Sequence, residues 1–187
     1  PWWREQSYYD EPGRGTYDRD GGGVLISQAI HTLDLAISLL GDVKDVMVMA
    51  ETTKFHKMES ENFVTGGIKF KNSVIASLFA STSVFPGSSE SIVLHCENAT
   101  VKLEAGTLII NWRNGKKEEF GEESGTGGSA DPMAFPFDWH KDLILNFAKS
   151  INTNKKFEIT GKEALKVHYL IDAMIESSKK NKLITME

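Results

Sequence analysis

Three consecutive glycines, Gly21, Gly22 and Gly23, stand directly before a segment with helical hydrophobic spacing, residues 24–40. Apolar side chains recur there every three or four residues and also occupy the other sides, which predicts a helix buried over most of its surface. Glycines at its start leave room for another backbone or a ligand. The free N–H groups and the helix dipole also favour an anion. A glycine-rich hinge is the alternative.

Four polar side chains interrupt the apolar surface of this predicted helix: Ser27, His31, Asp34 and Ser38. Spacings of four, three and four residues place them along one stripe. Buried polar groups need partners, which can be protein, water or a ligand. His31 is the candidate catalytic residue, because imidazole titrates near neutral pH and can take or give a proton. Asp34 is the candidate that orients the ring. A satisfied core histidine is the alternative that periodicity alone favours.

The middle of the chain predicts β-strands joined by short turns. Strands are expected at residues 43–53, 63–70, 74–84, 91–96, 100–104, 107–112 and 116–120. Strands joined by such short links must be antiparallel neighbours. Residues 1–20 predict a partly ordered arm. The Gly/Ser/Pro-rich residues 121–136 are typical of a lid or binding loop, and a merely mobile excursion is an equal alternative.

Two more helices are expected, at residues 137–151 and 160–179, and helices around a block of strands indicate an α+β architecture. The first of these helices is predicted to bury Leu143, Ile144, Phe147 and Ile151. His140, beside the long loop, is a second-tier candidate for the site. His56 and His95 are interpreted as surface or strand residues. Cys96 is interpreted as a small buried hydrophobic residue.

Composition narrows the classes of partner. The net charge is −5 and the basic residues are dispersed, which argues against a nucleic-acid partner. No apolar run approaches the roughly 20 residues that cross a bilayer, so no membrane partner is expected. A single cysteine and the lack of a signal-like N-terminus favour a reducing, cytoplasmic location. His31 and Asp34 have no further ligand cluster in the sequence, and no metal site is predicted.

The glycine run and the residues that follow it resemble the start of the C-terminal domain in the glucose–fructose oxidoreductase/inositol dehydrogenase (Gfo/Idh/MocA) family. The resemblance rests on Gly21-Gly22-Gly23, on His31 eight residues after the last glycine, and on Asp34 three residues further. Tyr8-Tyr9 and Arg14-Gly15-Thr16 before the run, and the tail from His140 to Ser178, are also similar to the family. The resemblance covers essentially the whole chain.

The family resemblance implies an open, mostly antiparallel β-sheet with helices packed on one face. Residues 1–187 are then expected to form the C-terminal substrate-binding and oligomerisation domain, without the N-terminal Rossmann domain that binds NAD or NADP in full-length members. A sugar, cyclitol or nucleotide sugar is the implied substrate, and a homo-oligomer formed through the sheet is the implied assembly. The whole protein is expected to be an NAD(P)-dependent oxidoreductase, and this chain alone to be inactive.

The resemblance also implies residue roles. His31 matches the histidine that handles the hydroxyl proton together with a lysine of the Rossmann domain. Ser27 stands where many members have an acidic residue, and Ser27-Gln28 resembles the amide-containing pair of a subgroup that includes nucleotide-sugar dehydrogenases. Both residues are therefore expected substrate contacts, since a serine can hydrogen-bond a sugar hydroxyl. Arg14 resembles a position near substrate that suits a carboxylate or phosphate, and Tyr9 is a weaker contact candidate.

No residue of this chain is assigned to the cofactor. The alternative function is a non-enzymatic module that binds sugar or dimerises.

Overall fold

A computed structural model describes residues 1–122, 137–157 and 159–186, with only the backbone of Trp139 described. Apart from its first two residues, the loop predicted at 121–136 lies outside the described residues.

The helices and strands follow one another as two short helices, one long helix, seven strands, two helices and a last short strand. The helices are α1 Gln6–Tyr9, α2 Tyr17–Asp20, a π-helical turn Leu25–Ala29 that continues into α3 Ile30–Leu40, α4 Asp138–Thr153 and α5 Gly161–Lys180. The strands are β1 Val43–Glu51, β2 Phe63–Phe70, β3 Ile75–Ser81, β4 Ser91–His95, β5 Ala99–Glu104, β6 Thr107–Trp112, β7 Lys117–Phe120 and β8 Ile184–Thr185.

All paired strands are antiparallel, which confirms the predicted α+β class. They form two four-stranded sheets, ordered β3-β2-β1-β8 and β4-β5-β6-β7. In the first sheet, Met49 pairs with Thr65 and Thr65 with Phe79. The chain passes from one sheet to the other between β3 and β4, where Pro86 and Gly87 interrupt the strand pattern. The strand-rich middle predicted from the sequence is therefore divided between two sheets.

The core lies between the first sheet and helices α3 and α5. It contains Leu25, Leu33, Ile37, Val46, Val64, Phe70, Leu170 and Met174. Strand β8 pairs with β1 only at Asp45 and Val46, which leaves the rest of that strand edge without a neighbouring strand. Two serines of α5 occupy this edge. Ser177 Oγ accepts from the N–H of Val48 at 3.2 Å, and Ser178 Oγ accepts from the N–H of Ala50 at 2.8 Å. Helix α5 thus satisfies the edge donors as well as packing against the sheet.

The helix of His31 is less buried than its sequence predicts. Leu33 and Ile37 face the core, but Leu35 and Leu39 are exposed, the second by 52%. A helix packed against one sheet and one helix keeps an outer face that no neighbour covers, even when the residues on that face are apolar. The predicted burial of α4 is also wrong, because Leu143, Ile144, Phe147 and Ile151 are all exposed.

Two residues outside the predicted site differ in burial from what the sequence indicated. Cys96 is exposed rather than buried, because it follows β4 at a turn. His56 is buried rather than on the surface, because it lies under Trp3 and Tyr9 of the N-terminal arm. His95 is exposed on β4, as expected.

One helical stretch, Tyr17–Leu40, has the length and composition of a membrane-crossing helix. This differs from the expectation that no such run is present. It is weak evidence for a membrane, because core helices of soluble proteins also satisfy that criterion. Leu25, Leu33 and Ile37 of this stretch lie in the core.

Adjacent glycines in β2 provide a matched test of how closely the sheet packs. A Cβ on Gly66 would lie 2.3 Å from the carbonyl oxygen of Met47, whereas one on Gly67 would meet only the carbonyl oxygen of Ala76 at 3.8 Å. We expect Gly66→Ala to lower the free energy of unfolding by about 1–3 kcal/mol, because backbone must move. Gly67→Ala should change it by less than about 0.5 kcal/mol. Urea unfolding of both variants measures the difference, and equal losses would contradict the proposed contact.

Candidate functional site

The glycine run is closed by the segment that leads into β2. The N–H of Val24 donates to the carbonyl oxygen of Glu61 at 2.8 Å. The Glu61 carboxylate accepts from the N–H of Gly23 at 3.2 Å and from the N–H of Leu25 at 3.1 Å. A Cβ on Gly23 would lie 1.7 Å from the Glu61 carbonyl oxygen. Glycine at this position is therefore needed for the two backbones to approach each other.

This contact changes the interpretation of the helix start. The sequence predicted a close approach at the glycines, and the structure confirms one. The N–H groups predicted to attract an anion instead donate to the Glu61 side chain of the protein itself. Glu61 was missed in the sequence because it lies 38 residues from Gly23 and no local pattern links the two.

Glu61 is a buried carboxyl, with 6% of its surface exposed. Burial raises its pKa above the ordinary value, although hydrogen bonds from the N–H groups of Leu25 and Gly23 and the positive charge of Lys179 act in the opposite direction. A cavity of about 180 Å³ adjoins it, lined in part by Tyr17, Glu51, Glu59 and Lys179. Within the described residues, no group of three or more His, Cys, Asp or Glu side chains is placed to hold a metal ion.

His31 is the second residue of α3, directly after the π-helical turn. Such turns are rare in proteins, and many of those that occur lie at functional sites. The imidazole is exposed. Asp34, one turn further, is exposed as well, and in the described parts of the chain no hydrogen bond or ion pair joins the two side chains. The orienting role of Asp34 therefore stays a prediction.

Ser27 and Gln28 lie within the π-helical turn. The Ser27 hydroxyl donates to the carbonyl oxygen of Gly23 at 2.7 Å, so its proton is engaged within its own helix. Gln28 is half-buried. Ser27 and Gln28 both lie just before His31 on the same helical segment. His140 lies on α4 with its side chain exposed. Across the described ranges, no hydrogen bond or ring contact brings His140 to His31.

The N-terminal arm, residues 1–20, is folded and carries the other predicted contacts. The Tyr9 hydroxyl is bonded to Thr82 Oγ1 at 2.8 Å, and its ring lies 4.9 Å from the ring of His56. Burial raises the pKa of Tyr9. Arg14 donates from Nη1 to the Tyr8 hydroxyl at 3.0 Å and from Nε to Glu11 at 3.2 Å. Arg14 thus lies against the ring of Tyr8.

Three consecutive residues, Ser60, Glu61 and Asn62, connect the arm to the helix of His31. The N–H and hydroxyl of Ser60 both donate to the carbonyl oxygen of Gly15, at 3.1 and 2.8 Å. Glu61 caps the glycine run.

The Asn62 side-chain amide lies 2.7 Å from Nδ1 of His56, and Nε2 of His56 lies 2.7 Å from the carbonyl oxygen of Arg4. One segment therefore positions both the arm that carries Arg14 and the helix that carries His31.

Comparison with protein families gives a match over more than half of the chain. Residues 1–102 match the model of the GFO/IDH/MocA C-terminal domain. The chain is also 26% identical over 171 residues to the uncharacterized protein YMR315W of Saccharomyces cerevisiae, which covers 86% of this chain and 47% of that protein.

Solved structures share the fold. The WlbA dehydrogenase from Bordetella pertussis, in complex with NADH and UDP-GlcNAcA, is 23% identical with a TM-score of 0.74, and the match covers 100% of this chain and 52% of that one. Levoglucosan dehydrogenase in complex with NADH is 16% identical with a TM-score of 0.80, covering 100% of this chain and 56% of that one. The chain thus spans about half the length of the relatives that it matches.

The buried carboxyl predicts a pH dependence of stability. Because the pKa of Glu61 is raised on folding, the folded chain binds this proton more tightly than the unfolded chain. The resulting stabilisation is fully present below the unfolded pKa and is lost as the pH rises through the folded pKa. We therefore expect the unfolding free energy of the wild type, relative to Glu61→Gln, to decrease as the pH rises from about 4.5, the ordinary carboxyl value.

Urea unfolding of both chains from pH 4 to pH 8 measures this difference. Glu61→Gln keeps the side-chain shape and one acceptor oxygen but does not titrate. A difference that increased with pH would show that the folded chain prefers the carboxylate, and would contradict the expected direction.

Proposed function

Because the chain belongs to the GFO/IDH/MocA family, we propose that it is the substrate-binding and catalytic-histidine domain of an NAD(P)-dependent oxidoreductase. The proposed substrate is a sugar, cyclitol or nucleotide sugar. NADH complexes among the fold relatives support a nicotinamide cofactor. The comparison chain that also holds UDP-GlcNAcA supports a nucleotide sugar as one candidate.

The observation that carries the proposal is the placement of His31. Its imidazole is exposed on a helix whose start is fixed by Glu61. A general base must reach the proton that it removes, and it needs a rigid support. The exposure of His31 and the anchored start of its helix support this role, and no hydrogen-bond partner within the described residues occupies its side chain.

The chemistry of this chain is then proton transfer. Oxidation of a sugar hydroxyl group transfers a hydride from its carbon to the nicotinamide and releases a proton from its oxygen. His31 takes that proton in our proposal. Ser27 does not act as the base, because a serine hydroxyl stays protonated near pH 7 and this one donates to Gly23. Asp34 is proposed to orient the imidazole when substrate is bound.

The cofactor is proposed to bind mainly outside this chain. A helix start preceded by glycines is a common phosphate site, but here the Glu61 carboxylate occupies the N–H groups of Gly23 and Leu25. A carboxylate at that position disfavours a second anion. We therefore propose that NAD or NADP binds to a Rossmann domain, as the family resemblance implies.

Four other residues are proposed substrate contacts. Gln28 is favoured by its place on the His31 helix, and Arg14 by its place in the arm whose Gly15 is bonded to Ser60. His140 is exposed and remains a candidate. Tyr9 is the weakest, because its hydroxyl already binds Thr82. A cytoplasmic location stays an expectation.

Replacement of His31 tests the proposal in the complete protein. We expect His31→Asn to lower kcat by about 10²–10⁴-fold, the usual contribution of a general acid or base, and to leave the melting temperature close to that of the wild type. Turnover is followed by NAD(P)H absorbance with either cofactor. His95→Asn, at an exposed histidine on β4, is the matched control and should retain activity. Near-normal turnover of His31→Asn would remove this residue from the mechanism.

An oligomer is favoured by the outer face of the first sheet. Met47, Met49, Ile75 and Phe79 are exposed there, Ile75 by 77%. Met47 and Met49 belong to β1, and Ile75 and Phe79 belong to β3 on the other side of β2. A large apolar surface on one side of a sheet is typical of an interface. We propose that a second copy of the chain covers it with the same face, as an isologous dimer.

A charge placed in this face tests the assembly. We expect the wild type to elute with about twice the 20.8 kDa mass of the chain, and Met49→Lys to elute as a monomer. Burial of an unpaired ammonium is strongly unfavourable. Val93→Lys introduces the same charge on the exposed face of β4 and should leave the mass unchanged. Light scattering that gave a monomer for the wild type would contradict the proposed dimer.

A further inference from the structure

Among the described residues, no ion pair joins a carboxylate to Arg4 of the N-terminal arm. Its guanidinium carbon lies 5.0 Å from the centre of the Trp2 ring and 4.9 Å from that of the Tyr8 ring. Its Nε is buried and finds no hydrogen-bond acceptor in the part of the chain that the structure describes. Buried polar atoms without partners are rare, because each leaves the cost of removing it from water uncompensated. Arg4 is therefore a cation held in place by two rings.

A second guanidinium stands at the same tyrosine. The guanidinium carbon of Arg14 lies 4.7 Å from the centre of the Tyr8 ring, and its Nη1 donates to the Tyr8 hydroxyl at 3.0 Å. Both guanidinium carbons are within 5 Å of one ring centre, so they lie within 10 Å of each other. Like charges held this close repel in the absence of an anion.

Among the described carboxylates, Glu11 pairs with Arg14, and no ion pair reaches Arg4. Glu11 accepts from Arg14 at 3.2 Å, but both side chains are substantially exposed and such surface pairs contribute little. Asp20 accepts from the N–H of Gly15 at 2.8 Å and lies near Arg19. Glu5 accepts from the indole N–H of Trp3 at 2.7 Å.

We propose that Arg4 and Arg14, placed around Tyr8, form a recognition site for an anionic group of the substrate, a carboxylate or phosphate of a sugar derivative. This inference rests on the proposed function and specifies the substrate class as an acidic sugar or a sugar phosphate. Guanidinium groups bind these anions through paired hydrogen bonds, and aromatic stacking fixes their orientation. Arg4 is a specificity-determining residue in this site.

The position of the site within the fold supports a substrate role. The carbonyl oxygen of Arg4 is bonded to His56, and His56 to Asn62. Asn62 follows Glu61, which caps the helix of His31. The arm is thus fixed by the same segment that fixes the catalytic histidine. An anion bound by the two arginines would be held by an element anchored to the reaction centre.

Binding to the chain is tested with defined probes. Trp2 stacks on Arg4, so tryptophan fluorescence is followed during titration with glucuronate, with inorganic pyrophosphate and with glucose. We expect saturable binding of at least one anion and none of glucose. Binding of glucuronate alone would identify a carboxylate as the recognised group, and binding of pyrophosphate alone would identify a phosphate. Either result supports the proposal. Failure of both anions to bind, or equal binding of glucose, would overturn the proposal.

Variants distinguish recognition from packing. Arg4→Met keeps an apolar stem between the rings and removes the charge. We expect it to weaken anion binding about ten- to hundredfold, as loss of a charge-assisted pair does. Arg113→Met, the same change in the exposed β6–β7 turn, is the control and should bind as the wild type does. If Arg4→Met fails to fold, Arg4→Lys keeps a charge without the planar fork and should still weaken binding. Unchanged affinity in a folded Arg4 variant would overturn the proposal.

Kinetics of the complete protein separate this inference from the proposed function. We expect Arg4→Met to lower the ratio of kcat/KM for an acidic sugar to that for its neutral analogue about tenfold or more, mainly through KM. A ratio equal to that of the wild type would overturn the anion site while leaving the dehydrogenase proposal intact. Anion binding without any sugar oxidation would overturn the dehydrogenase proposal and leave the anion site.

Discussion

The contact between Gly23 and Glu61 is the constraint on which the rest of the site depends. A helix start leaves backbone N–H groups without partners, and these must be satisfied if the start is buried. Here the backbone and side chain of one glutamate satisfy three of them, at Gly23, Val24 and Leu25. No side chain larger than hydrogen fits at Gly23. The strand that Glu61 precedes and the helix that carries His31 are consequently held as one unit.

The same short segment extends this constraint to the arm. Ser60 binds the carbonyl oxygen of Gly15, and Asn62 binds His56 beneath the arm. Three consecutive residues therefore contact the arm, the helix start and the histidine beneath the arm. Proton transfer by a histidine and recognition by arginines both require geometry fixed to a fraction of an ångström. Short segments with several buried hydrogen bonds provide such precision better than long mobile loops do.

Local patterns in the sequence predicted the elements well, and contacts between distant residues were not predictable in the same way. Helical spacing identified α3 and α5, and the short links between β-forming segments indicated the antiparallel strands. The partner of Gly23 was not predictable, because no periodicity relates it to Glu61.

Apolar composition also overestimated the burial of α3 and α4, since it does not say which neighbours are available to cover a face. The division of the strands into two sheets depends on the path of the chain after β3, which strand propensity does not encode. Arg4 had no local pattern, and its orphaned Nε became visible only in three dimensions.

The exposed face of α3 combines polar and apolar groups in a way that bears on the chemistry. His31 and Leu35 are four residues apart and share one stripe, with Leu39 a further turn along. Leu35 and Leu39 are exposed, so water reaches the surroundings of the imidazole. Electrostatic interactions that stabilise a developing charge are strongest where water is excluded. A surface that covered these leucines would therefore both bury apolar area and remove water from beside His31. In the proposed mechanism, the exposed leucines beside His31 therefore link the burial of apolar area to the exclusion of water from the imidazole.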